Sequence, residues 1–245
     1  MRTTKIEWTE RTWNPVTGCT KISAGCEHCY AETMSRRLCA MGNSKYTNGF
    51  QSTMHPEDLV EPMRWKKPST IFVCSMSDLF HPDVPFDFID KVFGVIRNTP
   101  QHNYQILTKR AERMAEYFST RVIPSNVWIG VTVEAVKTKN RIDYIRNLKA
   151  TVRFISCEPL LEDLGELNLN GINWIIVGGE SGVQARPMKE EWVLNIKRQA
   201  EANHIPFFFK QWGTWSADGV KSNKKVNGKL LHGIVIQNMP TIKKA

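Results

Sequence analysis

The chain has 245 residues, of which 41% are hydrophobic and 23% are charged, a composition typical of folded globular proteins and not of disordered or fibrous ones. No apolar run reaches the ~20 residues of a spanning helix, and the polar N-terminus lacks the apolar core of a secretory signal. We therefore expect a cytoplasmic protein without membrane contact. Without a Pro- or Ser-rich linker, this length predicts one domain, residues 1–245.

The first distinctive feature along the chain is a group of cysteines. Cys19, Cys26 and Cys29 follow the spacing C-x6-C-x2-C, and thiolates gathered by such a loop can ligate three corners of an iron–sulfur cluster or three positions on zinc. A zinc ion could take His28 or Cys39 as its fourth ligand, although we expect His28 to face solvent. Three cysteines leave one coordination position open, which favours a catalytic centre.

After a predicted helix over residues 31–40, short apolar runs alternate with segments of helical period. The runs predict strands covered on both faces, over residues 70–74, 103–107, 126–133, 152–156, 172–177 and 205–209. Helices are predicted over residues 86–97, 109–118, 139–148 and 190–203. This alternation predicts an α/β fold, a single-domain (β/α) repeat with about six to seven parallel strands in a partial or near-complete TIM-type barrel. Cys74 and Cys157 lie alone within apolar runs and are expected to be core residues.

Polar residues follow nearly every predicted strand. In parallel α/β folds ligands bind at the carboxyl ends of the strands, so these residues predict a polar binding site. The candidates are Ser75, Ser77, Asp78, Thr108, Lys109, Glu134, Glu158 and Glu180. Lys109 and Arg110 could pair with a carboxylate or phosphate, or be ordinary charges of a helix's first turn. Gly178-Gly179-Glu180 could equally be a tight turn with an exposed carboxylate.

The C-terminal segment is basic. From Gly219 to Ala245 it contains six lysines and no acidic residue, so it supplies +6 of the formal net charge of +9. The lysines are Lys221, Lys224, Lys225, Lys229, Lys243 and Lys244. Such a tail either solubilises the chain or contacts nucleic acid or another polyanion.

Three stretches of this sequence resemble a known family. They are IEWTERTWNPVTGCTKISAGCEHCYAE at residues 6–32, VGGESG at 177–182 and FFFKQWG at 207–213. They look like the phage-associated three-cysteine-motif proteins, a family of unknown function related to the radical S-adenosylmethionine (SAM) superfamily. The resemblance extends from residue 6 to about residue 240. The superfamily's usual cysteine spacing is C-x3-C-x2-C, so the first interval here is a variant.

The resemblance implies a cofactor arrangement. Cys19, Cys26 and Cys29 would hold a [4Fe-4S] cluster at three irons, and SAM would chelate the fourth iron. An electron from a reductant such as flavodoxin or ferredoxin would then cleave SAM to methionine and a 5′-deoxyadenosyl radical, which would abstract hydrogen from a substrate or add to it. Tyr30 occupies the position where the superfamily often has an aromatic residue near the adenine.

One departure from the superfamily pattern affects the assignment of the SAM contacts. The superfamily's Gly-Gly-Glu follows its second strand, whereas Gly178-Gly179-Glu180 follows a late strand, the one predicted over residues 172–177. We expect Ser77 and Asp78, in the loop after residues 70–74, to contact the methionyl amino group instead. Glu180 would then contact the ribose, the carboxylate or the substrate, and Glu134 and Glu158 would bond ribose hydroxyls or cap backbone.

The leading hypothesis is a radical SAM enzyme acting on nucleic acid or a nucleotide, as a modification or repair activity, with the basic tail as the contact surface. The sequence does not single out a catalytic residue. The alternative is a zinc-stabilised nucleic-acid-binding module without catalysis, in which the cysteines are structural. A phage protein that kept the fold and serves as an inactive interaction partner is a third reading.

Overall fold

The computed structural model describes residues 4–241, so Lys243 and Lys244 of the basic tail lie outside the described residues. Within this part of the chain, seven parallel strands form one sheet, and their order in the sheet follows their order in the sequence. They are β1 Arg11–Trp13, β2 Thr70–Val73, β3 Asn103–Thr108, β4 Val127–Thr132, β5 Val152–Cys157, β6 Trp174–Gly178 and β7 Phe207–Gln211. The same described residues contain six α-helices, α1 Tyr30–Ala40, α2 Phe86–Asn98, α3 Ala111–Phe118, α4 Arg141–Arg146, α5 Glu190–Ala202 and α6 Lys224–Asn227. The predicted α/β fold, a partial TIM-type barrel of parallel strands, is confirmed.

Shorter elements join the main ones. One antiparallel pair joins Val16–Thr17 to Thr53–Met54, and another joins Leu230–Leu231 to Ile234–Val235. The 3₁₀ helices are Ala24–Cys26, Ser44–Tyr46, Pro56–Asp58, Glu61–Arg64 and Val136–Thr138. The first of these lies within the cysteine loop.

The six predicted strands correspond to β2–β7, and the structure adds β1 at the N-terminal edge, paired with β2. Strand β2 ends at Val73, one residue earlier than predicted, because Cys74 adopts a left-handed conformation with φ of 60° that turns the chain. Helix α4 is shorter than the predicted 139–148, because it begins after Asn140 and ends before Asn147, which are its capping residues.

The central strands are buried on both faces, as their continuous apolar sequences predict. Every residue of β4 and of β6 is buried. Gly130 in β4 leaves space for the ring of Phe154 in β5, since a Cβ at Gly130 would lie within 2.6 Å of a ring carbon. Cys74 and Cys157 are buried, and burial raises the pKa of the Cys74 thiol to about 12.

The chain divides into two compact units. The first comprises the described residues up to Ile22, Cys29–Ile129 and Lys149–Thr151, and the second comprises Ser23–His28, Gly130–Leu148 and the described residues from Val152. Among residues 4–241, no helix has the length and apolar character needed to cross a membrane. The single domain and the cytoplasmic location stay predictions.

Candidate functional site

The predicted site residues fall into both compact units. The first unit contains Cys19, Cys29, Tyr30, Ser75, Ser77, Asp78, Thr108 and Lys109. The second contains Cys26, Glu134, Glu158 and Glu180. Each group is described within its own unit.

In the first unit, the buried carboxylate of Asp78 collects four hydrogen bonds. Its Oδ1 accepts from Thr108 Oγ1 at 2.7 Å and from the Phe80 backbone N–H at 3.0 Å. Its Oδ2 accepts from the Lys109 backbone N–H at 3.2 Å and from Arg110 Nη1 at 3.0 Å. Two other predicted site residues therefore donate hydrogen bonds to Asp78: Thr108 through its hydroxyl and Lys109 through its backbone N–H.

Arg110 connects Asp78 to the start of the cysteine loop. Its Nη1 lies 3.4 Å from Cys19 Sγ, and its Nη2 donates to the Thr20 carbonyl at 3.0 Å and to Thr20 Oγ1 at 2.9 Å. Burial lowers the pKa of Arg110, but Asp78 and Cys19 outweigh it, and the pKa is raised overall. A charged donor thus faces the Cys19 sulfur, an environment that favours a thiolate.

His81 completes this network from the other side of Thr20. Its Nδ1 accepts from the Asp83 backbone N–H at 3.2 Å, so the proton is on Nε2, which donates to Thr20 Oγ1 at 2.8 Å. Burial, and then the positive charge of Arg110, lower the pKa of His81. His81 is therefore neutral near pH 7 and holds the Thr20 side chain in place.

The loop after β2 is held by side-chain to backbone contacts. Ser77 Oγ donates to the Val16 carbonyl at 2.7 Å, and Ser75 Oγ donates to Asn14 Oδ1 at 3.1 Å. The Tyr30 hydroxyl donates to the Ser75 carbonyl, which joins the start of α1 to this loop. The structure thus gives Ser75, Ser77 and Tyr30 contacts within the first unit.

In the second unit, the Glu180 carboxylate forms a paired, two-point contact with Arg186. Arg186 Nε donates to Oε2 at 2.9 Å, Arg186 Nη2 donates to Oε1 at 2.7 Å, and the Arg186 backbone N–H also donates to Oε2 at 2.8 Å. Burial alone would raise the pKa of Glu180, but the hydrogen bonds from Arg186 lower it overall. Glu180 is only 6% exposed, so it is not the exposed turn residue that one interpretation of Gly178-Gly179-Glu180 predicted.

Arg186 also donates hydrogen bonds to the segment of the cysteine loop around Cys26. Arg186 Nη2 donates to the Ala24 carbonyl at 2.9 Å, and Nη1 donates to Glu27 Oε2 at 3.0 Å. His28 Nδ1 lies 3.3 Å from Glu180 Oε2, so the expectation that His28 faces solvent is wrong. Sequence reasoning missed Arg186, because no local pattern links it to residues more than 150 positions away.

Glu134 and Glu158 differ in how fully they are bonded. Glu134 is fully buried, and its Oε2 accepts from Arg141 Nη1 at 2.8 Å. Its Oε1 has no hydrogen-bond partner among the described residues. Glu158 accepts from Ser156 Oγ at 3.1 Å and forms an ion pair with Lys210 at 2.8 Å.

Glu134 also explains the glycine beside Cys26. A Cβ on Gly25 would lie 3.0 Å from Glu134 Cγ and 3.2 Å from its unpaired Oε1. The cysteine loop therefore runs directly over the Glu134 carboxylate, and a larger side chain at position 25 would displace one of them.

Among residues 4–241, a group of three side chains has potential ligand atoms within 4.8 Å of one another, His55, Glu57 and Asp58. Lys45 forms an ion pair with Asp58, and His55 Nε2 lies 2.8 Å from Thr17 Oγ1. Protein groups therefore already engage Asp58 and His55, and Glu57 Oε1 lies 3.5 Å from His55 Nδ1.

The cysteines separate into two chemical classes. Cys19, Cys26, Cys29 and Cys39 are half-buried, whereas Cys74 and Cys157 are fully enclosed, and burial raises the pKa of both enclosed thiols. A buried thiol of raised pKa is a poor metal ligand. The half-buried sulfurs of the C-x6-C-x2-C loop, with Arg110 beside one of them, fit an iron–sulfur cluster.

Comparisons with known proteins give the family. No curated protein sequence matches this chain. The chain is similar to the solved structure of a mutant spore photoproduct lyase, with 13% sequence identity and a TM-score of 0.47, over 74% of this chain and 60% of that one. The model of a family described as a protein of unknown function, DUF5131, matches residues 3–240. The chain belongs to this DUF5131 family.

Proposed function

We propose that this protein is a radical SAM enzyme whose [4Fe-4S] cluster is bound by Cys19, Cys26 and Cys29. The observation that carries the proposal is the setting of Cys19, whose sulfur faces the guanidinium of Arg110 at 3.4 Å. Positive charge and N–H donors stabilise a thiolate ligand and the sulfur atoms of a cluster. The resemblance of the cysteine loop supports the same assignment.

The cluster and SAM, when bound, supply one-electron cleavage of the sulfonium carbon–sulfur bond. The protein's residues bind and orient these groups. The unpaired Oε1 of buried Glu134 is suited to accept a hydrogen bond from a hydroxyl or amine of the cofactor or the substrate, because an unsatisfied buried carboxylate oxygen is costly. The amino-group contact expected of Ser77 and Asp78 stays a prediction, since both side chains already bond within the protein.

Nucleic acid or a nucleotide is the proposed substrate. Lys221, Lys224 and Lys225 of the basic tail are exposed, and exposed lysines attract the phosphate backbone. A radical acting on a base also requires that the base be unstacked or single-stranded. The exposed positive charge supports this part of the proposal, and salt-dependent binding of single-stranded DNA tests it independently of the cluster.

The test of the cluster begins with anaerobic purification, followed by analysis of iron, sulfide and zinc. We expect a brown protein with about four iron and four sulfide per chain, which forms 5′-deoxyadenosine when given dithionite and SAM. The matched variants are Cys26→Ala, which should lose the iron, and Cys39→Ala, which should keep it. One zinc per chain, no colour and no cleavage of SAM would establish the zinc-stabilised module instead.

A further inference from the structure

We propose that two arginine–carboxylate pairs, Arg110–Asp78 and Arg186–Glu180, hold the cysteine loop in its cluster-binding conformation before any cluster is present. The inference rests on the proposed function for the purpose of the loop, but the holding contacts belong to the protein alone. All four are positioning residues, which act through the loop. Gly178-Gly179-Glu180 thereby acquires a role that does not require contact with SAM.

The first pair fixes the start of the loop. Arg110 is itself immobilised by Asp78, and both side chains of this ion pair are 8% exposed. The immobilised guanidinium then reaches the Cys19 sulfur and both oxygens of Thr20. His81 bonds the same Thr20 hydroxyl. The position of Cys19 is therefore fixed by its own contact with Arg110 and by the contacts that Arg110 makes with the adjacent Thr20.

The second pair fixes the middle of the loop. Glu180 is buried and receives Arg186 through three hydrogen bonds. Arg186 then bonds the Ala24 carbonyl and the Glu27 carboxylate, on either side of Cys26. The 3₁₀ turn Ala24–Cys26 is thus held from outside as well as by its own backbone bonds.

Both pairs need arginine specifically. A guanidinium offers five N–H donors in a planar fork, so it can bond a carboxylate along one edge and still donate to other acceptors. Arg186 bonds Glu180 in this way through Nε and Nη2, whereas Arg110 bonds Asp78 through Nη1 alone and uses Nη2 for Thr20. A lysine keeps the charge but places it at a single point. The Arg→Lys variants therefore separate geometry from charge.

The first test uses metal-free protein and hydrogen–deuterium exchange read by mass spectrometry. The Cys26 and Glu27 amides donate to the Ser23 and Ala24 carbonyls, so they report on the middle of the loop. We expect Arg186→Gln and Arg186→Lys to speed exchange of residues 23–28 about tenfold, because charged hydrogen bonds that resist opening are lost. Arg110→Gln should have the same effect on residues 18–21.

The matched control is Arg121→Gln, which breaks a half-buried pair with Asp90 outside the loop and should leave exchange in the loop unchanged. If Arg186→Gln does not fold, Glu180→Gln breaks the same pair, and it should speed exchange of residues 23–28 in the same way. Unchanged exchange in the loop of folded Arg110 and Arg186 variants overturns the proposal. Because this test needs no cluster, its outcome is independent of the proposed function.

The second test uses reconstituted protein and the midpoint potential of the cluster. A hydrogen bond to a ligand sulfur stabilises the reduced cluster. Arg110→Gln should therefore shift the potential to a more negative value. Arg186 donates to oxygen atoms and not to a sulfur, so Arg186→Gln should slow cluster incorporation but leave the potential unchanged. Equal potentials in the native and Arg110→Gln proteins would refute the Cys19 contact. Failure of every variant, and of the native chain, to bind iron would refute the proposed function alone.

Discussion

The main chain at Gly179 packs directly against the main chain of Trp212, and this contact gives a quantitative prediction. A Cβ at this position would lie 2.7 Å from the carbonyl carbon of Trp212, and closer still to its oxygen. Both atoms are main chain, so no rotamer change can relieve the clash. Overpacking costs about 1–3 kcal/mol, and we expect Gly179→Ala to destabilise the protein by about 3 kcal/mol, at the upper end of that range.

The neighbouring glycine is the matched control. A Cβ at Gly178 would lie 2.8 Å from Glu158 Oε1, which is the end of a flexible side chain paired with Lys210. That side chain can shift, so Gly178→Ala should cost only about 1 kcal/mol. Both variants add one methyl group to buried backbone one residue apart.

Urea denaturation of the metal-free protein measures both free energies of unfolding. With a slope of about 3 kcal/mol per M, the midpoint should fall by about 1 M for Gly179→Ala and by about 0.3 M for Gly178→Ala. Equal shifts in the two variants would refute the reasoning, because they would show that the Trp212 backbone yields as easily as a side chain.

Three further predictions concern other parts of the chain. In folded, metal-free protein, iodoacetamide should label the loop cysteines long before Cys74 and Cys157, whose thiol pKa values burial raises; equal labelling rates by mass spectrometry would contradict this. Arg121 lowers the pKa of Asp90, so the pair's contribution to stability is present above about pH 4 and lost as the pH falls through the lowered value. The stability advantage of the native chain over Asp90→Asn should therefore be larger at pH 7 than at pH 2, as denaturation at both pH values would show. Single-stranded DNA binding should weaken with salt, and the log–log slope should be about 2 smaller when glutamine replaces three exposed lysines, namely Lys221, Lys224 and Lys225.

The strands were predictable where burial on both faces leaves a continuous apolar run. The sequences of β4 and β6 satisfy that condition at nearly every position. Strand β1 did not, because Arg11 and Thr12 interrupt the apolar pattern, and it is a strand by virtue of pairing with β2. The left-handed Cys74 was equally hidden, because cysteine carries no local preference for that conformation.

The candidate site was predictable only in part, for a related reason. Parallel strands bring their carboxyl ends to one edge, so the position of Asp78, Glu134, Glu158 and Glu180 beyond those ends follows from the repeat. The partners of these carboxylates do not. Arg186 reaches Ala24 across 162 positions of the chain, and no periodicity records such a contact.

The space shared by Gly130 and Phe154 bears on how the DUF5131 family can diversify. The ring fills the volume that a side chain at position 130 would need, so neither position can change size freely while the other stays as it is. We expect the two positions to covary in sequences of the family, so that any larger residue at 130 is accompanied by a smaller one at 154. Such paired exchanges would mark the contact between β4 and β5 in relatives whose structures have not been determined.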